Sequence, residues 1–89
     1  MIYMNEYGLI TFESVNFAMQ AEAVLKGENI YHQIIPTPRE ITLSCGLSIR
    51  FSVDNVNNIK TLVNENRIKI KKIYIVKGTG NNRTIESLE

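Results

Sequence analysis

The chain has 89 residues, which is typical of one domain with a modest core, because a chain of this size buries only about 60–65% of its unfolded surface. Its apolar fraction of 44% and net charge of +1 are those of an ordinary globular protein, not of one built mainly to neutralise phosphate. A single cysteine forms no internal disulfide, and neither a signal peptide nor a membrane-spanning run is visible. We therefore expect a cytoplasmic protein that binds neither nucleic acid nor a membrane.

The first part of the chain predicts a strand followed by a helix. Residues 7–12 alternate with apolar side chains on both faces, which is typical of a central strand. Ser14 is a suitable N-cap for a helix over 15–26, where apolar residues recur at spacings of three and four. Gly27 is the predicted end of this helix, because glycine adopts a positive φ without steric cost.

A second strand is predicted over residues 30–35, with Pro36 at its end. His32 lies in this strand, on the same face as Ile30 and Ile34. A single strand histidine is more often a structural residue than a proton carrier or a ligand, and we interpret His32 in that way.

Residues 47–53 have the clearest alternation in the chain and predict a third strand. Its polar side chains share one face, which we expect to be exposed to water: Ser48, Arg50 and Ser52. Asp54 is the predicted N-cap of a second helix that continues to Asn64, and Asn66 is suited to left-handed geometry after it.

The last predicted strand covers residues 68–77, and its first half is basic because of Lys69, Lys71 and Lys72. The favoured interpretation is an edge strand protected by lysine against aggregation. A docking patch for an acidic partner or nucleic acid is the alternative, although no aromatic residues alternate with the lysines. Residues 78–89 are polar and lack periodicity, which predicts a flexible C-terminal tail.

The order of elements is strand, helix, strand, strand, helix, strand. This order predicts an α+β fold, the ferredoxin-like βαββαβ sandwich, in which two helices cover one face of a four-stranded antiparallel sheet. The predicted domain comprises residues 1–77. The open sheet face or an edge strand is then the expected surface for any homo-oligomer.

Several chemistries lack the residues that they need. One histidine and one cysteine cannot supply the three or four protein ligands of a zinc site, and a Cys–His hydrolase would lack an orienting acid. No glycine-rich loop precedes a helix, and the third strand lacks the aromatic residues that bind RNA on this fold. We predict no cofactor and no metal.

Residues 36–51 concentrate the unusual residues of the chain: both prolines, the only cysteine, and two flanking arginines. Arg39 or Arg50 near the Cys45 sulfur would favour the thiolate, which is the nucleophilic form. Gly46 would let other groups approach the sulfur, and Ser44 would donate a hydrogen bond to it.

A structural role for the cysteine is the alternative. Free cysteine is among the most buried residue types. If the third strand extends back through Gly46, then Cys45 lies on the same face as Leu47 and Ile49 and belongs to the core.

Two segments carry a resemblance to a known family: Ile35-Pro36-Thr37-Pro38-Arg39-Glu40 and Ser44-Cys45-Gly46-Leu47-Ser48-Ile49-Arg50-Phe51. They resemble the signature of the small bacterial proteins described as selenium/sulfur carrier protein-like. The start of the chain is similar too, and the resemblance covers about residues 7–77. Gly46 follows the cysteine here, whereas sulfur carriers of a similar two-layer build have a proline at a helix start in that position.

The resemblance implies a carrier protein and not a complete enzyme. Cys45 would take sulfur or selenium from a donor such as a cysteine desulfurase and hold it as a persulfide or selenosulfide. It would then pass the atom to an acceptor protein, while Arg39 and Arg50 stabilise the thiolate and the bound anion. The second hypothesis is a non-catalytic regulatory or assembly module with a structural cysteine, which rests on the fold alone.

Overall fold

The computed structural model describes residues 6–39, 41, 46–78 and 83–88. The strands are β1 (Glu6–Thr11), β2 (His32–Pro36), β3 (Leu47–Phe51), β4 (Lys72–Lys77) and β5 (Thr84–Leu88). The helices are α1 (Val15–Gly27) and α2 (Val56–Asn64), and a single 3-10 turn (Val53–Asn55) precedes α2.

The five strands form one antiparallel sheet in the order β2-β3-β1-β4-β5. The fold is therefore α+β with two helices, but the prediction of four strands is wrong. The fifth strand lies within residues 78–89, where the sequence predicts a tail, and it pairs with β4 from Ile73↔Leu88 to Lys77↔Thr84. Because β5 extends the sheet beyond β4, the arrangement does not match the ferredoxin-like order exactly as predicted.

Both helices pack on the same face of the sheet. One buried cluster joins the neighbouring strand residues Ile10, Ile49 and Ile73 to Leu25 of α1 and Ile59 of α2. Burying an aliphatic side chain of this size contributes about 1.5–3 kcal/mol. Ile10 and Ile49 are among the apolar residues that alternate along β1 and β3, so the alternation predicts correctly which face of the sheet forms the core.

The face opposite the helices is not open at its centre. Leu9 and Val76 alternate with core residues, so they lie on this other face, and both have no exposed surface. Ser48 on β3 is also fully buried, although the sequence predicts a wet polar face there. The prediction of an open sheet face is thus wrong for the central strands.

The helix caps are partly those predicted. The Ser14 hydroxyl accepts a hydrogen bond from the Phe17 amide at 3.3 Å, which confirms the N-cap of α1. Gly27, however, is the last helical residue, and the positive φ of 59° belongs to Asn29. Asn66 has the expected left-handed geometry, with a φ of 61°.

The cap before α2 differs from the prediction. Asp54 lies inside the 3-10 turn and does not cap α2. The turn is instead capped by Ser52, whose hydroxyl accepts from the Asp54 amide at 3.2 Å. Ser52 and Asp54 are both suitable N-caps in the sequence. Ser52 takes this role because a 3-10 turn that contains Asp54 precedes α2.

The lysine-rich segment does not lie on an edge strand. β4 begins at Lys72 and pairs with β1 on one side and β5 on the other. Lys69 and Lys71 precede the strand. The interpretation of these lysines as edge protection is therefore wrong.

One end of the sheet positions the cysteine-containing segment. β2 ends and β3 begins at this end, and a row of paired residues crosses four strands there: Ile35, Ser48, Thr11 and Lys72. We call it the loop end of the sheet. The opposite end contains Glu6, Phe51 and Lys77.

Candidate functional site

The segment that contains the cysteine is closed at its base by a backbone hydrogen bond. The Thr37 amide donates to the Gly46 carbonyl at 3.0 Å, one pair beyond the Pro36↔Leu47 pair of the β2–β3 ladder. Residues 37 and 46 are therefore fixed next to each other. The residues between them start and end at one defined point of the sheet.

Two hydroxyl groups meet beside this hydrogen bond. The Thr37 Oγ1 and Ser48 Oγ atoms are 2.6 Å apart, and Ser48 is fully buried. Each hydroxyl can both donate and accept a hydrogen bond, so the pair satisfies Ser48 without water. Sequence reasoning misses this pair because it depends on the register that sets Ser48 opposite Ile35, close to the end of β2.

Arg39 lies in a turn just after β2. The Ile41 amide donates to the Pro38 carbonyl at 3.0 Å, which closes the turn around Arg39. Arg39 is exposed to solvent. Its guanidinium is thus available to an anion near the loop end.

Gly46 is half-buried and has room around its α-carbon. A β-carbon built there would lie 3.5 Å from Thr37 Oγ1, which is an ordinary van der Waals contact. Glycine is therefore not needed at this position to avoid a collision within the domain.

The other two predicted site residues, Ser44 and Cys45, lie outside the described residues, as does Glu40. Their proposed roles stay predictions. The structure does place residues that flank them in sequence: Thr37 is hydrogen-bonded to Gly46, and Arg39 lies in a turn.

Arg50 lies towards the other end of β3. It is four residues from Gly46, which corresponds to about 13 Å along a strand. The Arg50 guanidinium carbon lies 4.6 Å from the centre of the Tyr7 ring, a cation–π contact on the face opposite the helices. The two arginines that flank the cysteine in the sequence are therefore placed differently in the fold.

His32 has the contacts of a structural residue. Its Nδ1–H donates to the Ile30 carbonyl at 2.8 Å, and Nε2 lies 3.1 Å from a Glu22 carboxylate oxygen of α1. The histidine thus ties the start of β2 to the helix layer, at the end of the sheet away from Gly46.

Within the part of the chain that the structure describes, no group of three or more His, Cys, Asp or Glu side chains could hold a metal ion. No helix among those residues combines the length and the apolar character needed to cross a bilayer.

The fold defines a small two-layer α+β domain whose only cysteine falls, in sequence, between the neighbouring strands β2 and β3. The model of the family described as "Putative Se/S carrier protein-like" matches residues 7–75, and the chain belongs to this family. No curated protein and no solved structure matches the chain. The match confirms the resemblance drawn from the segments around Pro38 and Cys45.

Proposed function

We propose that this protein carries sulfur or selenium on Cys45 between a donor and an acceptor protein. The observation that supports this most directly is the hydrogen bond from Thr37 to Gly46. It joins the two ends of the segment that contains the only cysteine, in a member of the family described as Se/S carrier protein-like. A fixed loop base would present the thiol to partner proteins at a defined position.

The transfer is an exchange at sulfur with no net oxidation. The Cys45 thiolate attacks the outer sulfur of a donor cysteine persulfide, such as that of a cysteine desulfurase. The sulfur–sulfur bond of the donor breaks, the donor cysteine leaves as a thiolate, and a new bond gives the persulfide on Cys45. An acceptor nucleophile then attacks the outer sulfur and releases the Cys45 thiolate. A selenium cargo would give the corresponding selenosulfide.

The neighbouring residues would favour the anionic forms. Arg39 is exposed in the turn next to the loop and would stabilise the thiolate and the bound persulfide anion. Ser44 would donate a hydrogen bond, and Gly46 would leave space for the donor. Arg50 would contribute less than Arg39, because its guanidinium lies on Tyr7.

A lone thiol suits a carrier better than a redox enzyme. No second cysteine is present in the chain to resolve the persulfide as an internal disulfide. The proposal places this chemistry in the cytoplasm, where thiols stay reduced.

Mass spectrometry of the intact protein tests the proposal. The protein is incubated with a cysteine desulfurase and cysteine, and we expect an added mass of one sulfur atom that a reducing agent removes. Because the chain has one cysteine, peptide mapping assigns the adduct without ambiguity. The Cys45→Ser variant is the matched control and should gain no mass.

A wild-type protein that gains no sulfur, and whose thiol reacts with iodoacetamide no faster than free cysteine, would falsify the carrier function. If Cys45→Ser also retained the native stability and every measurable interaction, the regulatory or assembly module would be the better description.

A further inference from the structure

A surface depression of about 470 Å³ lies between α2 and the sheet on the helix side. Two lysine side chains line it, which are Lys60 from α2 and Lys71 just before β4, and both are exposed to solvent. Lys72 also borders the depression, but it alternates with the core residue Ile73, so its side chain belongs to the face opposite the helices. The sequence singles out Lys71, but the carrier chemistry gives it no role.

The positive charges of the depression are not balanced within the described part of the chain. Among those residues, the ion pairs join Glu22 to His32, Glu28 to Arg67, and Glu6 to Lys77. None of these pairs involves a lysine of the depression. An acidic group from another molecule could therefore pair with them without displacing an existing partner.

The floor of the depression is apolar. Val63, Ile70 and Leu88 line it and are half-buried against the main core. Cations around an apolar floor fit a ligand that has carboxylates next to an apolar side chain. A fully hydrated nucleic-acid backbone would leave this floor unused.

The lysines also need an explanation other than edge protection. β4 is paired on both sides, so it does not expose the unpaired backbone groups that edge lysines protect. The two exposed lysines Lys60 and Lys71 beside one apolar depression are then better explained by binding.

The depression lies at the same end of the sheet as the cysteine-containing loop. Lys72 pairs with Thr11, and Thr11 pairs with Ser48 on β3. Two strand spacings separate Lys72 from Ser48, which is about 10 Å. A protein that contacts both the loop base and the depression needs to cover only a short distance.

We propose that this depression docks an acidic segment with an apolar side chain that belongs to the protein donating the sulfur. The lysines pair with its carboxylates, and the apolar side chain covers Val63 and Leu88. Only the identity of the partner rests on the proposed carrier function. The recognition of an acidic, apolar segment rests on the depression itself.

Binding is tested with a synthetic peptide in which aspartates flank a leucine and a phenylalanine, followed by NMR of labelled full-length protein. The test variant is K60E/K71E. The control variant is K26E/K77E, which changes the net charge equally with lysines of the opposite end, one near the end of α1 and one at the end of β4.

We expect peptide-induced shifts at Lys60, Lys72 and Leu88, an affinity roughly ten-fold weaker in K60E/K71E, and no comparable loss in K26E/K77E. Added salt should weaken binding, and a peptide with asparagine in place of aspartate should bind poorly. Equal losses in both variants, shifts elsewhere on the surface, or tighter binding of a single-stranded oligonucleotide would overturn the proposal. Circular dichroism checks that both variants fold.

A transfer experiment separates this docking site from the carrier chemistry. Cys45 is loaded either by a cysteine desulfurase or by inorganic polysulfide, which needs no docking. If K60E/K71E is loaded more slowly than the wild type by the desulfurase but equally fast by polysulfide, the docking site is supported. Unchanged loading by both sources overturns its role in transfer. If the wild type takes up sulfur from neither source, the carrier function fails, and the peptide experiment still decides whether the depression binds an acidic segment.

Discussion

A glycine lies near each end of β3, and the two glycines have different surroundings. At the opposite end, Phe51 packs directly on Gly8, and Arg50 lies on the ring of Tyr7. At the loop end, Gly46 has free space, and the nearby polar pair is half-buried Thr37 with buried Ser48. Gly8 is therefore required by the packing of Phe51, whereas the surroundings of Gly46 would accept a β-carbon.

The largest expected effect on stability is that of Gly8→Ala, at the end of the sheet away from Gly46. The added methyl group would overlap the Phe51 ring, which is 2% exposed and cannot move into solvent. We expect a loss of about 2–3 kcal/mol in the free energy of unfolding, measured by urea denaturation.

Gly27→Ala is the matched control, because nothing lies within 4 Å of a β-carbon built at Gly27. It should keep or raise the stability. A second substitution, Phe51→Leu, should recover part of the loss in the Gly8→Ala background. Equal stability of the two single glycine variants would show that Phe51 does not constrain Gly8.

The second effect concerns the hydroxyl pair at the loop end. Thr37→Val leaves the buried Ser48 hydroxyl without its partner, which we expect to cost about 1–2 kcal/mol. The double variant with Ser48→Ala removes the orphaned hydroxyl and should be less destabilised than the two single effects predict. Additive losses in this double-mutant cycle would argue against a direct hydrogen bond.

The third effect separates the two arginines. Arg39→Gln should slow alkylation of Cys45 by iodoacetamide at neutral pH by about three- to ten-fold, because a nearby cation favours the thiolate. Arg50→Gln is the matched control and should change the rate less than about two-fold, although loss of its contact with Tyr7 should cost about 0.5–1 kcal/mol of stability. The reverse ranking of the two rates would mean that Arg50 leaves Tyr7 to reach the loop.

The smallest effect is expected for Gly46→Ala. Its β-carbon would meet Thr37 Oγ1 at an ordinary 3.5 Å, so the free energy of unfolding should change by less than about 0.5 kcal/mol. Thermal unfolding measures this directly. A loss as large as that of Gly8→Ala would show that the two glycines do not differ in the way their surroundings indicate.

Much of the fold is predictable because alternation and caps are local. The strict alternation of β3 and the caps Ser14 and Asn66 give the positions of three elements. β5 is missed because Thr84–Leu88 is a half-exposed edge strand with little apolar alternation, so its pairing with β4 decides its structure. The start of β4 is also misplaced, since Ile68 is buried without belonging to a strand.

The candidate site likewise has features that the sequence reveals and features that depend on strand pairing. A lone cysteine followed by glycine, with an arginine after the prolines, can be recognised in the sequence. The partnership of Thr37 with Ser48 cannot, because it requires the β2–β3 register. Ser48 is also fully buried on the face opposite the helices, which a polar residue in an alternating pattern does not indicate.

Pro36 has a consequence for how other chains can approach this sheet. β2 is an edge strand, and the Thr37 amide points towards β3, where it bonds to Gly46. The nitrogen of the preceding residue therefore points away from the sheet, and as a proline it carries no hydrogen to donate. The outer border of β2 lacks a donor where another strand would need one. Strand addition at this border is disfavoured, which protects the sheet against edge-to-edge aggregation.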